Sequence, residues 1–181
     1  MKFSGGYTVT DAGGHVVLRM DVPLFIFSGH RILLDAAGLP HDASRRQWGG
    51  ITWYVFRGNS NNTKDLLFTA RASSRRRPLT QIGLDIFLAA NEVQKVADFK
   101  IKGNCYKSCY FDVGNSDTMI ASKLAICNVY HVLQMNRMKS IGMPMFGVTV
   151  FPHIDHAFIA ALVVIFHGVN TIVARRRQQN K

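Results

Sequence analysis

Short apolar runs alternate with turn-forming clusters along the first two-thirds of the chain. Tyr7–Thr10 alternates, Asp11–Gly14 supplies turn residues, and Val16–Met20 resumes an extended pattern. Ile32–Leu34 runs into Asp35-Ala36-Ala37-Gly38, a turn with a glycine available for positive φ. Trp53–Phe56 is aromatic and β-branched, as strands prefer, and the polar loop Gly58–Thr63 joins it to Leu66–Ala70 as a hairpin. The rhythm continues through Asp85–Ala89, Asp98–Lys102, Ser108–Val113 and Thr118–Ser122. Strands recurring every roughly 8–12 residues with turn signals between them predict a sandwich or barrel.

The C-terminal third has a different pattern. Gly147–Phe151 reads as one more strand, stopped by Pro152, and Asp155 is placed to cap a helix. From Ala157 to Phe166 there is no polar side chain. A helix apolar on every side must be buried in protein or lie in lipid. A membrane span needs about 20 apolar residues, and a shorter run marks a core helix. Extending this one to Ala174 would carry His167 and Asn170 into the bilayer at considerable cost. Arg175-Arg176-Arg177 would suit a tail anchor as its positive flank, but the length favours a buried helix.

Composition narrows the function classes. The 181 residues suit one domain with a sizeable core, and 48% apolar content excludes wholesale disorder. The 22 Lys and Arg against 11 Asp and Glu give a net charge of +11, which favours anionic partners: nucleic acid, anionic membrane or an acidic protein. Cys105, Cys109 and Cys127 are an odd, sparse set, and residues Met1–Gly6 lack the apolar core of a secretory signal. The expectation is a reduced intracellular setting with buried thiols, no disulfide framework and no zinc site. His15, His30, His41, His131, His153, His156 and His167 are scattered, without a metalloprotease, nucleophile-elbow or phosphate-loop motif. His153 and His156 flank Asp155, for which loop packing and capping are the plainer roles. A lone aspartate there does not make a calcium site. No enzyme, cofactor or metal is expected.

Several long stretches, in order, resemble the plant LURP-one-related proteins of the tubby-like superfamily, which also holds the phospholipid scramblases. They are His30–Pro40, Trp53–Gly58, Leu67–Arg71, Phe87–Asn91, Asp98–Gly103 and, most specific, Val148–Pro152 leading through Asp155–Ile165. The resemblance runs from Tyr7 to Asn170. It implies a mainly β fold: a closed antiparallel β-barrel around a central hydrophobic C-terminal α-helix. The chain departs from the family in three places. It lacks the family's opening strand, Gly142–Phe146 replaces a polar lysine-containing segment, and His167-Gly168 stands where the family has an acidic pair. The expected organisation is one LURP-one-related domain over residues 1–170, its barrel edge exposed by the missing strand, and a basic tail over 171–181.

Two basic clusters are the candidate sites. Arg71, Arg75, Arg76 and Arg77 form the densest internal positive charge, suited to lipid phosphate. Tubby-like proteins bind phosphoinositides, so the resemblance implies the same ligand class here. Arg175, Arg176, Arg177 and Lys181 form a nucleic-acid or nuclear-localisation tail, or a disordered solubilising end. The sequence thus leads to a monomeric, non-enzymatic binding or adaptor module, cytoplasmic and associated with the plasma membrane or nucleus. The resemblance adds a link to plant defence. The alternatives are a nucleic-acid-associated transcriptional regulator, or a structural domain that only contacts proteins.

Overall fold

The computed structural model describes residues 7–11, 13–21, 31–46, 52–73, 83–103, 108–125, 133–137 and 146–179. Twelve strands are described: β1 Tyr7–Thr10, β2 Val16–Asp21, β3 Arg31–Asp35, β4 Pro40–Arg46, β5 Thr52–Arg57, β6 Leu66–Ser73, β7 Gly83–Leu88, β8 Phe99–Gly103, β9 Ser108–Val113, β10 Met119–Ala125, β11 Leu133–Arg137 and β12 Phe146–Val150. One helix, α1, runs from His156 to Gln179. Antiparallel pairing links the strands in the order β1-β11-β12-β10-β9-β8-β7-β6-β5-β4-β3-β2, and β2 returns to β1 as a closed barrel. The edge expected from a missing opening strand is absent, because β1 pairs with β11 on one side and β2 on the other.

Apolar alternation drives this arrangement. Phe68 and Ala70 of β6, Leu84 and Ile86 of β7, Ile101 of β8, and Cys109 and Phe111 of β9 are buried in one core. Period-two patterning puts them on the barrel's inner face, against α1. Ala157 and every residue from Ile159 to Phe166 are buried, so the all-round apolar helix is a core helix. Among the described residues, no helix is long and apolar enough to cross a membrane.

Three features differ from the sequence reading. β4 and β11 are not anticipated by the sequence pattern, and β4 carries no apolar alternation: it turns Asp42 and Ser44 inward on either side of Ala43. The helix does not stop near Phe166 but continues to Gln179. Asn170 does not break it, since its Nδ2 folds back to donate to the Phe166 carbonyl at 2.8 Å. Residues 171–179 therefore continue α1, with no break at residue 170, and the segment is not a disordered tail.

Candidate functional site

The hairpin turns at residues 11–15, 36–39, 58–65, 89–98 and 114–118 join odd to even strands and so share one end of the barrel. The helix enters there: the Phe151 amide bonds the Ile120 carbonyl at the start of β10, and Phe158 packs edge-to-face against Phe68 and at a tilt against Phe99, the first residue of β8. It leaves at the other end, where Arg31, the first residue of β3, bonds the Val164 carbonyl. From Gly168, beside Arg31, it continues for about 16 Å at 1.5 Å per residue.

This topology sorts the charge. Asp11, Asp35, Asp42, Asp65, Glu92, Asp98, Asp112, Asp117 and Asp155 lie in or beside the entry-end turns, so nine of the 11 acidic residues share one end. Arg57, Lys64, Lys95, Lys100 and Lys102 accompany them, leaving 17 Lys and Arg against Asp21 and Asp85 for the rest of the chain. The orientation also suits the helix dipole, with an acidic cap at its start and Arg175, Arg176 and Arg177 in its last turns.

The structure separates the predicted arginine set. Arg71 is an exposed residue of β6 whose guanidinium lies 5.3 Å from the Phe87 ring centre and donates from Nη2 to Gln94 Oε1 at 2.8 Å. Gln94 belongs to the 89–98 loop, so Arg71 reaches towards the entry end. Arg75, Arg76 and Arg77 lie outside the described residues, as does Lys181. The positions flanking the arginine run, Ser73 and Gly83, pair with each other at the exit end.

Arg31 carries a role the sequence did not disclose. Its Nη1 donates to the Val164 carbonyl at 2.8 Å, its guanidinium sits 4.9 Å from the Trp53 ring centre, and it occupies the space that Gly168 leaves open. A Cβ on residue 168 would lie 2.5 Å from Arg31 Nη2. Arg31 pairs with Ser44 on β4, and Trp53 is the buried aromatic of β5. Ser44 Oγ and Trp53 Nε1 are buried with no hydrogen-bond partner among the described residues. Polar groups thus gather where the helix meets β3, β4 and β5.

The strand-to-helix loop has the capping geometry expected of it. Asp155 Oδ1 accepts from the Ala157 amide at 2.8 Å, while His153 and His156 are exposed. No group of three or more metal-ligating side chains occurs among the described residues. Cys109 is buried in the core; Cys105 and Cys127 lie outside the described residues.

Burial raises the carboxyl of Asp42 above its ordinary value of 3.8, although His41, 3.0 Å away, lowers it, and Asp155 raises it further. A raised carboxyl means the folded state holds its proton more tightly than the unfolded state does. This stabilisation is complete below 3.8 and is lost as pH rises through the folded value. Asp42→Asn should abolish that decline. Urea unfolding of both proteins through the acidic range should show wild type losing stability relative to the variant as Asp42 ionises.

The fold defines a mainly β protein organised around a buried C-terminal helix, with nine of its 11 acidic residues in or beside the turns at the helix-entry end. The LURP-one-related family model matches residues 1–167, and the chain belongs to that family. It is 36% identical to LURP-one-related 15 of Arabidopsis thaliana, covering 92% of this chain and 74% of the relative. It is 37% identical to LURP-one-related 10 of the same plant, covering 92% and 83%. A crystal structure of an Arabidopsis thaliana protein superposes with a TM-score of 0.64 at 31% identity, covering 92% of both chains.

Proposed function

We propose that this chain is a non-enzymatic, tubby-like binding module that sets its basic exit end against an anionic membrane, with phosphoinositide headgroups as the preferred contact. The segregation of charge along the barrel carries this reading. A net positive charge spread evenly would attract any polyanion weakly. With nine of the 11 acids in or beside the entry-end turns, the basic residues that the strands and helix carry to the other end, Arg31, Arg45, Arg46, Arg137 and Arg175–Arg177, have few counter-charges and suit a flat anionic surface. Arg175, Arg176 and Arg177 lie on the helix past Gly168, and Ser73 and Gly83, which flank Arg75, Arg76 and Arg77 in sequence, pair at the same end. Arg71 drops out of the contact set, because its guanidinium is engaged with Phe87 and Gln94. The non-enzymatic part is supported by Asp155, whose carboxylate caps the helix rather than activating a neighbouring histidine.

Each basic residue near an anionic leaflet contributes about 1 kcal/mol, so removing three should weaken partitioning by about a hundredfold. Wild type should sediment with phosphoinositide-containing vesicles at physiological salt. Variants with alanine at Arg75, Arg76 and Arg77, or at Arg175, Arg176 and Arg177, should remain in the supernatant. Equal sedimentation of wild type and both variants would overturn the reading. Retention on duplex DNA or RNA without vesicle binding, falling linearly in log affinity with log salt, would transfer the basic end to nucleic acid.

A further inference from the structure

We infer that the exit mouth of the barrel holds a site for a phosphate-type oxyanion, built from Arg31, Ser44 Oγ and Trp53 Nε1 where the helix meets β3, β4 and β5. Strand pairing brings the three residues together. Arg31 stands opposite Ser44 across the β3–β4 ladder. Ser44 stands opposite Val55 on β5, and Trp53, two residues away on the same inner face, is its diagonal neighbour. The Arg31 guanidinium closes the triangle, 4.9 Å from the Trp53 ring centre.

Unmet hydrogen bonds point to a ligand there. Ser44 is 5% exposed and Trp53 1%, yet neither Ser44 Oγ nor Trp53 Nε1 has a partner among the described residues. A buried polar group left unpaired is destabilising, and two neighbours in that state call for a physical reason. One acceptor satisfies both. An indole N–H and a guanidinium only donate, and a serine hydroxyl donates as readily as it accepts. The Val164 carbonyl takes Arg31 Nη1. What would complete the cluster is a group with several acceptor oxygens.

Charge makes that group an anion. Arg31 is the half-buried member of the three, so a solute reaches the other two past its guanidinium. Arg46 pairs with Trp53 at the end of β4 and adds a second basic position at the mouth. The nearest acid in the β2–β3 ladder, Asp21, pairs with Ile32, which alternates with the inward Arg31. Gly168 keeps the helix surface bare beneath the guanidinium, since a Cβ there would lie 2.5 Å from Arg31 Nη2. A tetrahedral oxyanion can accept from a guanidinium and from neutral donors at once. The inference does not rest on the membrane reading, because free phosphate and a lipid headgroup present the same oxygens.

The test follows Trp53 emission in the full chain carrying Trp48→Phe, which leaves Trp53 as the sole tryptophan. Inorganic phosphate at constant ionic strength should change that emission saturably, and chloride should not. Ser44→Ala should weaken phosphate binding about tenfold, as loss of one hydrogen bond to a charged group does, and Arg31→Lys by at least as much. Without phosphate, Ser44→Ala should melt no lower than its parent, because the hydroxyl has no bond to lose. With phosphate, the parent should gain more in melting temperature than the variant. Phosphoinositide vesicles that reproduce the emission change would identify a headgroup as the source, and vesicles that bind without it would assign the site to free phosphate. Alanine at Arg175, Arg176 and Arg177 should release the protein from vesicles and leave phosphate binding unaltered, so this site and the membrane reading fail separately. The absence of a saturable response to phosphate, the same response to chloride, or equal affinity in Ser44→Ala would overturn the inference.

Discussion

Phe166→Ala is expected to cost about 3–5 kcal/mol of folding stability, the range for removing a buried aromatic from a close-packed core. Phe166 is 1% exposed and lies on a helix whose residues from Ile159 to Phe166 are all buried. Strands surround that helix, and each is held by partners on both flanks. The wall therefore has little freedom to collapse into the space a phenyl ring would leave, so the cavity should persist and the cost fall high in the range. Urea unfolding monitored by far-UV circular dichroism measures it. A loss below about 1 kcal/mol, typical of exposed positions, would mean that the helix is not enclosed as described.

Arg31→Ala should cost about 2–4 kcal/mol, combining a charge-assisted hydrogen bond to the Val164 carbonyl with a cation–π contact on Trp53. Gly168 makes this prediction specific. In an ordinary helix interior, glycine to alanine is worth about 1 kcal/mol of stabilisation. Here the new methyl would lie 2.5 Å from Arg31 Nη2, so Gly168→Ala should destabilise wild type by displacing the guanidinium. In the Arg31→Ala background the obstruction is gone, and the same change should stabilise. Equilibrium unfolding of the two single variants and the double variant reads this reversal of sign directly. A stabilising Gly168→Ala in wild type would show that the guanidinium gives way without cost.

Most strands were legible because their apolar residues alternate. Val9, Trp53, Val55, Leu84 and Ile86 each fall inward where period two puts them. β4 escaped that logic, because its inward positions include Asp42 and Ser44, and Pro40 opens it where a turn is equally natural. The helix start was legible from Asp155, whereas its end was not: no glycine or proline follows Asn170 to stop it, and Asn170 satisfies its own amide within the helix. The arginine clusters were visible as runs, but their grouping with Arg71 assumed that neighbours in sequence share a surface. On a strand, Arg71 lies along the wall and is drawn to Phe87 and Gln94.

The acidic end was hidden because its residues are dispersed from Asp11 to Asp155. The signal lay in turn chemistry. Asp11 accepts from the His15 amide and Asp35 from the Leu39 amide, as aspartates do in tight turns, and the hairpins return those turns to the same end. Gly168 makes room for Arg31, which brings its own positive charge to the helix.

Hydrogen exchange of the wild-type protein, free and on phosphoinositide-containing vesicles, tests the central claim that the exit end of the barrel is the one that meets an anionic membrane. The vesicles should slow exchange in the last turns of α1, around Arg175–Arg177, and at the exit-end residues Ser73 and Gly83, leaving the 89–98 loop unchanged. Protection of the 89–98 loop instead, or no protection anywhere on vesicles that bind the protein, would contradict it.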